Sequence, residues 1–180
     1  MTPMSDTPAR SAIDWVDLTR VPTLHGTTDR VVRSGPAAGA ADRLGRLGRL
    51  GMCGLARAVT LGPGDGIDVL VTLVETTATL EEIEPRTRVV RYPIVDMGVP
   101  SDLPLFADVV DGIAADVRAG RTVVVSCLAG YGRTGMTVAC ALVAAGQGAA
   151  EAVEIVRATR PGTIETDAQL AFVQAWAARD

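Results

Sequence analysis

One cysteine and one arginine in this chain are spaced for chemistry on a phosphate group. Cys127 lies six positions before Arg133, and between them stand Leu128, Ala129, Gly130, Tyr131 and Gly132. A thiolate is a strong nucleophile, and a planar guanidinium can hold two phosphate oxygens at any working pH. The spacing therefore predicts a loop, Leu128–Arg133, that binds a phosphate while Cys127 attacks it. A core cysteine beside a tight turn is the alternative, although such a turn needs no arginine.

The flanking segments place this cysteine at the end of a strand and the arginine at the start of a helix. Thr122–Val125 is a β-branched run that predicts a buried strand, and Met136–Ala145 predicts a helix that ends at Gly146. The first N–H groups of a helix lack intrahelical partners and carry the positive end of its dipole. Glycines in the loop let successive amides turn inward around an anion. Such a loop favours both a bound phosphate and an ionised thiol.

The stretch resembles the signature of the cysteine-dependent phosphatases of the protein-tyrosine and dual-specificity type, which is His-Cys-x5-Arg-Ser/Thr. Here the signature reads Ser126-Cys127, then Arg133-Thr134. The resemblance runs from about Asp68 to the C-terminus, and more weakly back to Ile13. Within the family, the chain looks most like the branch that contains cyclin-dependent kinase inhibitor 3 and its bacterial relatives.

This resemblance implies hydrolysis of phosphate monoesters through a phosphocysteine intermediate, with no cofactor and no metal. In the family, the hydroxyl at the position of Thr134 helps the cysteine leave during hydrolysis of the intermediate. The family histidine, which braces the loop and helps keep the thiolate ionised, is replaced here by Ser126, a single uncharged O–H donor. The implied substrate is a phosphorylated protein carrying phosphotyrosine, with phosphoserine and phosphothreonine left open. The loop lacks the lysines expected for inositol polyphosphates.

A general acid is expected on a separate loop, because the oxygen displaced from phosphorus must be protonated. In the segment Tyr92–Pro100, a short apolar stretch ends at Asp96, and Gly98 and Pro100 follow it. Glycine and proline at these positions favour a loop. It resembles the acid loop of the family, and Asp96 stands 31 positions before Cys127. We predict that Asp96 protonates the leaving group and later activates water. A turn or capping aspartate is the alternative, and Asp102 is the second candidate for the acid.

A further resemblance lies near the C-terminal end. Pro161–Gln169 resembles the loop and helix start that pack beside the phosphate cradle in this branch. Gln169 stands where the family often has a polar residue near the attacking water. From the residues alone, Thr166 or Asp167 is simply an N-cap for the last helix. Both interpretations of this segment are kept.

Length and charge predict one domain without a nucleic-acid or membrane partner. The 180 residues can bury one core unaided, and we predict a flexible tail at 1–12 and a phosphatase domain at 13–180. The net charge of −4 provides no basic field for nucleic acid or an anionic membrane. The longest apolar stretch, around Met136–Ala145, is too short to cross a bilayer.

The cysteines, the histidine and the basic residues restrict the chemistry and indicate a source. Three cysteines with no Cys-x-x-Cys pair argue against a zinc site and for a reducing cytoplasm. The single histidine, His25, argues against Ser-His-Asp catalysis. All 17 basic residues are arginine, which, with the Ala- and Gly-rich composition, suggests a high-GC bacterial genome. We expect a cytoplasmic monomer.

The remaining pattern alternates strands with helices and predicts an α/β domain with a central, largely parallel sheet. The predicted strands are Ile13–Leu18, Arg30–Ser34, Asp68–Val74, Arg88–Tyr92 and Thr122–Val125; the other predicted helices are Thr77–Glu84, Ser101–Ala119, Glu151–Thr159 and Asp167–Ala178. Ser101–Ala119 is expected to bury a face formed by Leu105, Val109, Ile113 and Val117. The Arg-Leu-Gly repeat at Arg43–Gly51 is expected to be a mobile, solvated loop.

Two other function classes remain open at this point. A rhodanese-like sulfurtransferase also uses a cysteine in an amide-lined loop, but it would need no aspartate 31 residues upstream. A phosphate-binding module without turnover is favoured by the missing histidine, but it would have no chemical need for Cys127, Arg133 and Asp96 together.

Overall fold

The computed structural model describes residues 12–24, 47–75 and 87–179. Residues 1–11 of the predicted tail lie outside the described residues. His25, the predicted strand Arg30–Ser34 and the predicted helix Thr77–Glu84 lie outside them as well. The division of the chain into a tail and a domain at 13–180 stays a prediction.

A single mixed sheet forms the centre of this α/β domain. Its strands are β1 (Asp14–Trp15), β2 (Arg49–Gly54), β3 (Val69–Thr72), β4 (Arg88–Arg91) and β5 (Thr122–Cys127). They lie in the order β1-β2-β5-β3-β4, and all neighbours are parallel except β1, which is antiparallel to β2. The predicted α/β class and largely parallel sheet are confirmed. The carboxyl ends of β3, β4 and β5 meet at one edge of the sheet.

Within the described residues, five α-helices accompany the sheet: α1 (Leu55–Ala58), α2 (Leu103–Arg118), α3 (Gly132–Ala144), α4 (Ala149–Thr159) and α5 (Asp167–Ala177). The four longer helices confirm four of the five helix predictions, with α3 beginning at Gly132, ahead of the predicted Met136; the fifth, Thr77–Glu84, is untested. Because strand side chains alternate between faces, Val123 and Val125 of β5 enter the main core, whereas Val124 enters a smaller one with Ala58 of α1. No helix among the described residues is long and apolar enough to cross a membrane.

The buried face of α2 differs from the predicted one at its N-terminal end. Val109, Ile113 and Val117 are buried as predicted, but Leu105 is 49% exposed and Phe106 is fully buried. A four-residue spacing advances about 40° more than a full turn, so three such steps rotate Leu105 about 120° away from Val117. Phe106 lies closer to the inward direction, and its ring packs edge-on against Trp176 with centroids 4.9 Å apart.

The end of the Arg-Leu-Gly repeat is a strand and not the expected loop. Arg49–Gly51 begins β2, which pairs with β5 along its full length. The glycines permit close packing, since a Cβ on Gly51 would lie 2.6 Å from Ile13 Cγ2 and one on Gly48 only 2.0 Å from the Arg121 carbonyl oxygen. Residues 43–46 of the repeat lie outside the described part of the chain. In the described part of the chain, the end of the repeat therefore belongs to a strand of the sheet.

Candidate active site

The predicted phosphate loop joins β5 to α3. β5 ends at Cys127, the loop follows over Leu128–Tyr131, and α3 begins at Gly132, so Arg133 lies in its first turn. The β-branched run Thr122–Val125 forms the strand because it can be buried on both faces of the sheet. The structure therefore brings Cys127 and Arg133 to opposite ends of one short loop, as predicted from their spacing.

The loop directs a backbone amide at the cysteine sulfur. The N–H of Gly130 donates to Cys127 Sγ at 3.2 Å. Gly130 has φ 80°, and a Cβ there would lie 2.5 Å from the backbone carbon of Cys53; glycine meets both constraints. The loop therefore holds a backbone donor against the sulfur of Cys127.

Arg133 connects the phosphate loop to the predicted acid loop. Its side chain is 7% exposed, and Nη2 lies 2.7 Å from Asp96 Oδ1, whose own side chain is 70% exposed. Nη1 donates to the carbonyl oxygen of Ile94 at 2.9 Å. The structure thus places Asp96, Arg133 and Cys127 at one site, although Asp96 follows a different strand of the sheet.

Residues 92–102, which contain the predicted acid loop Tyr92–Pro100, leave the end of β4 and are held at both ends. The hydroxyl of Tyr92 donates to the carbonyl oxygen of Asp102 at 2.8 Å, and Met97, directly after Asp96, has φ 59°. A left-handed backbone at a non-glycine residue is uncommon and concentrates at functional sites. Asp102 itself is the N-cap of α2, because its Oδ1 accepts from Leu105 N at 3.0 Å. That capping role accounts for Asp102 without chemistry.

The two hydroxyls of the signature differ in their surroundings. Ser126 is fully buried, and its Oγ contacts the carbonyl oxygen of Cys127 at 3.4 Å, not the sulfur. Thr134 is equally buried, and among the described residues its Oγ1 has no hydrogen-bond partner. Buried hydroxyls are normally hydrogen-bonded. Thr134 therefore has a donor available to a group that arrives in the loop, whereas Ser126 does not reach the thiol.

The C-terminal segment contacts both loops. Thr166 is the N-cap of α5, and Gln169, fully buried, completes a capping box with it. Gln169 Nε2 donates to the carbonyl oxygen of Gly98 in the acid loop at 3.3 Å. Both interpretations of the segment therefore have structural support, since it caps a helix and also lies beside the cradle. A water-positioning role for Gln169 stays a prediction.

Sequence reasoning missed Glu165. Its Oε2 accepts from the N–H of Gly132 in the phosphate loop at 2.8 Å. The two residues are 33 positions apart, and no local sequence pattern predicts a contact between them. The ring of Tyr131, a residue of the predicted phosphate loop, lies under the guanidinium of Arg160, whose Cζ is 4.2 Å from the ring centroid.

The other two cysteines lie in different surroundings. Burial raises the pKa of the Cys53 thiol to about 12 and raises the pKa of the Cys140 thiol as well. Both are completely buried, Cys53 in β2 and Cys140 in the middle of α3. A thiol with a raised pKa is a poor nucleophile near neutrality. Of the three cysteines, Cys127 is the one placed in an amide loop beside an arginine.

Comparison with known proteins agrees with this geometry. A family model described as a DSP-PTPase phosphatase of polymorphic toxin systems, Tc-R-P, matches residues 59–147, just under half of the chain. The match includes Asp96, the whole phosphate loop and Thr134.

Solved phosphatases share the fold over most of their length. Tk-PTP in its active form is 24% identical, with 80% of this chain and 100% of that chain covered and a TM-score of 0.62. Kinase associated phosphatase, with its catalytic-site cysteine replaced by serine, is 17% identical over 98% of this chain and 99% of that one, with a TM-score of 0.67. Human DUSP28 is 20% identical over 72% and 88%, with a TM-score of 0.60.

The fold is that of the protein-tyrosine and dual-specificity phosphatases, and the family model and the solved structures that match the chain are phosphatases of that class. Kinase associated phosphatase, which is cyclin-dependent kinase inhibitor 3, shares this fold, and the branch that the sequence resembles stays a prediction. The matched proteins are phosphatases, and they give no support to the sulfurtransferase alternative.

Proposed function

We propose that this protein removes phosphate from phosphotyrosine in proteins through a phosphocysteine intermediate formed on Cys127. One observation carries the proposal: a backbone amide points at Cys127 Sγ at 3.2 Å while Arg133, six residues on, lies 2.7 Å from Asp96. Nucleophile, phosphate-holding cation and acid are therefore within one site.

In the first step, the Cys127 thiolate attacks phosphorus and the bond from phosphorus to the substrate oxygen breaks. Arg133 and the loop amides of Leu128–Tyr131 neutralise charge on the transferred group, and the carboxylic acid form of Asp96 donates its proton to the leaving oxygen. A phosphate on Arg133 takes the place that the Asp96 carboxylate occupies in the free protein. Substrate binding thereby frees Asp96 from Arg133, and the freed carboxylate takes up a proton from solvent before it donates one to the leaving oxygen.

In the second step, water attacks the phosphocysteine and the phosphorus–sulfur bond breaks. The Asp96 carboxylate takes a proton from that water, so the acid is restored. The Thr134 hydroxyl, which has no partner among the described residues, donates to the departing sulfur. Gln169 supports the same step by holding the acid loop through the carbonyl oxygen of Gly98.

The surface around the site supports a protein substrate. Val95 and Met97 flank Asp96, Leu128 follows Cys127, and these side chains are 81%, 52% and 60% exposed. Exposed apolar side chains clustered at a site favour contact with a macromolecule. No lysine is present to bind further phosphates.

A substrate panel tests the proposal. Phosphopeptides carrying phosphotyrosine, phosphoserine or phosphothreonine are assayed beside phosphoinositides and an aryl phosphate, with Cys127→Ser as the blank and Cys140→Ser as the matched control. We expect phosphotyrosine turnover, lost in Cys127→Ser and retained in Cys140→Ser. If Cys127→Ser keeps a tenth or more of the activity, the covalent mechanism is wrong. Tight vanadate binding without turnover of any substrate would establish the non-catalytic alternative.

A further inference from the structure

The first helical amide behind the phosphate loop is capped from a distant part of the chain. Gly132 begins α3, and the local N-cap, Tyr131, makes no side-chain capping bond. Helix N-termini leave amides that require an external partner. The Glu165 carboxylate supplies it, accepting from Gly132 N at 2.8 Å. This carboxylate therefore does for α3 what a capping side chain usually does locally.

The segment that carries Glu165 is itself held in one conformation. Gln169 Oε1 accepts from the backbone N–H of Glu165 at 3.0 Å and of Thr166 at 3.4 Å. Ile164, directly before Glu165, has φ 60°, which is a strained value for a β-branched residue. Strain of this kind persists only where the surroundings enforce it. The carboxylate thus reaches Gly132 from a fixed support.

The same segment also bonds to the acid loop. Thr166 Oγ1 donates to the carbonyl oxygen of Met97 at 3.4 Å, and Gln169 Nε2 donates to that of Gly98 at 3.3 Å. Within the described part of the chain, Met97 and Ile164 are the two non-glycine residues with positive φ. Met97 lies in the predicted acid loop and Ile164 in the C-terminal segment, on opposite sides of the contact between them. Residues 164–169 therefore connect the loop that holds the phosphate to the loop that holds the acid.

We propose that Glu165 is a positioning residue for phosphate binding, which rests on the proposed function of the loop. By holding the amide of Gly132, it fixes the Tyr131–Gly132 peptide, one residue before Arg133, and so the direction of the guanidinium. Its negative charge also opposes a phosphate dianion in the loop. Its hydrogen bond and its charge therefore act in opposite directions on anion affinity, and different substitutions separate them.

Three variants separate these contributions: Glu165→Ala removes both the hydrogen bond and the charge, Glu165→Gln keeps a carbonyl acceptor without the charge, and Glu151→Ala is the control. Glu151 is a carboxylate in the first turn of α4, and it accepts a hydrogen bond from Gln147. The readouts are the inhibition constant of vanadate and the KM and kcat for an aryl phosphate. We expect Glu165→Ala to weaken vanadate binding and raise KM roughly 10- to 100-fold, the value of a hydrogen bond to a charged group, with a smaller change in kcat. Glu165→Gln should bind vanadate at least as tightly as the wild type.

Either of two results would overturn the inference. One is a Glu165→Ala variant that binds vanadate within twofold of the wild type and of Glu151→Ala. The other, which applies even if Glu165→Ala does not fold, is a folded Glu165→Gln variant that loses vanadate affinity tenfold or more. Failure of the proposed function looks different, because the wild type would then turn over no substrate while the ordering of vanadate affinities among the variants persisted.

Discussion

Arg133 and Asp96 form an ion pair between the two loops of the site, with Nη2 and Oδ1 2.7 Å apart. The pair is asymmetric, since the arginine side chain is 7% exposed and the aspartate side chain 70% exposed. The guanidinium is therefore held by the protein, whereas the carboxylate can move into solvent. An arriving phosphate competes with Asp96 for the same fork of donors. Phosphate binding and the release of Asp96 are thus linked through Arg133.

The first prediction concerns this link. Asp96→Asn should slow hydrolysis of esters with poor leaving groups by about 10²- to 10⁴-fold, the usual contribution of general acid catalysis. Esters of acidic phenols should lose much less, because their leaving oxygen needs no proton. The same variant should bind vanadate more tightly, since a neutral amide competes less for Arg133. Initial rates over a series of aryl phosphates provide the measurement.

Asp102→Asn is the matched control for that series. Asn also caps helices well, so α2 should keep its start and the rates should stay near those of the wild type. Equal losses on good and poor leaving groups in Asp96→Asn, or a larger loss in Asp102→Asn, would assign the acid role elsewhere.

The second prediction concerns the unpartnered hydroxyl of Thr134. Thr134→Ala should slow hydrolysis of the phosphocysteine more than its formation, so an activated aryl phosphate should give a burst of phenol followed by a slow steady state. Thr134→Ser should restore the steady-state rate. Stopped-flow absorbance measures both phases.

Thr137, one helical turn further along α3, is the control for Thr134. It is likewise fully buried with a hydroxyl that has no partner among the described residues. Thr137→Ala should show no burst, because that hydroxyl lies outside the loop. A burst in both variants, or in neither, would remove the assigned role of Thr134.

The third prediction concerns Ser126. Since its Oγ contacts the carbonyl oxygen of Cys127 and not the sulfur, Ser126→Ala should leave the pH dependence of iodoacetate inactivation unchanged. Ser126→His should move that profile to lower pH, because an imidazolium would favour the thiolate. A clear shift in Ser126→Ala would show that the serine hydroxyl stabilises the thiolate directly.

The fourth prediction follows from the buried thiols. Burial raises the pKa of Cys53 to about 12 in the folded protein, whereas an exposed thiol in the unfolded chain ionises near a pKa of about 8.5. Below about pH 8 the thiol is protonated in both states. As pH rises above that value only the unfolded state loses the proton, and the free energy of unfolding should fall. Urea unfolding from about pH 7 to 11 checks this dependence.

Cys53→Ala gives the comparison for that titration. Its free energy of unfolding should fall less steeply above about pH 8 than that of the wild type, even if the variant starts from a lower value because of the cavity. In the native wild type at about pH 8, mass spectrometry after iodoacetate treatment should find one modified cysteine, Cys127. Parallel slopes in the two proteins, or native modification of Cys53, would contradict the prediction.

The fifth prediction concerns the glycines of the repeat. Gly48→Ala should destabilise the protein by about 2–4 kcal/mol, in the range of severe backbone clashes, because the new Cβ would lie 2.0 Å from the Arg121 carbonyl oxygen. Gly64→Ala is the control, since nothing lies within 4 Å of a Cβ at that position. Thermal unfolding of both variants measures the difference, and similar midpoints would show that the chain at Gly48 accommodates the methyl group.

The sequence predicted the parts of this molecule that depend on neighbouring residues. Thr122–Gly135 contains its own strand, turn and helix start, so local patterns alone were enough to place Cys127 and Arg133 at the two ends of a loop. β2 could not be predicted, because glycines that usually weaken a strand are here required by contacts with Arg121 and Ile13. Glu165 was missed for a related reason, since its partner Gly132 is 33 positions away and only the folded chain brings them together.

The position of β3 has a consequence for how this site tolerates sequence change. Thr72 pairs with Arg91 of β4 on one side and with Ser126 of β5 on the other, so one strand separates the origins of the two loops. Neighbouring strands lie about 4.8 Å apart, which sets those origins roughly 10 Å from each other. Main-chain hydrogen bonds fix this spacing, including Leu73 N to Ser126 O at 2.8 Å and Tyr92 N to Thr72 O at 3.0 Å. Since any residue with a backbone N–H can make such bonds, the spacing between acid and nucleophile can be inherited while nearly every side chain on the strands is exchanged.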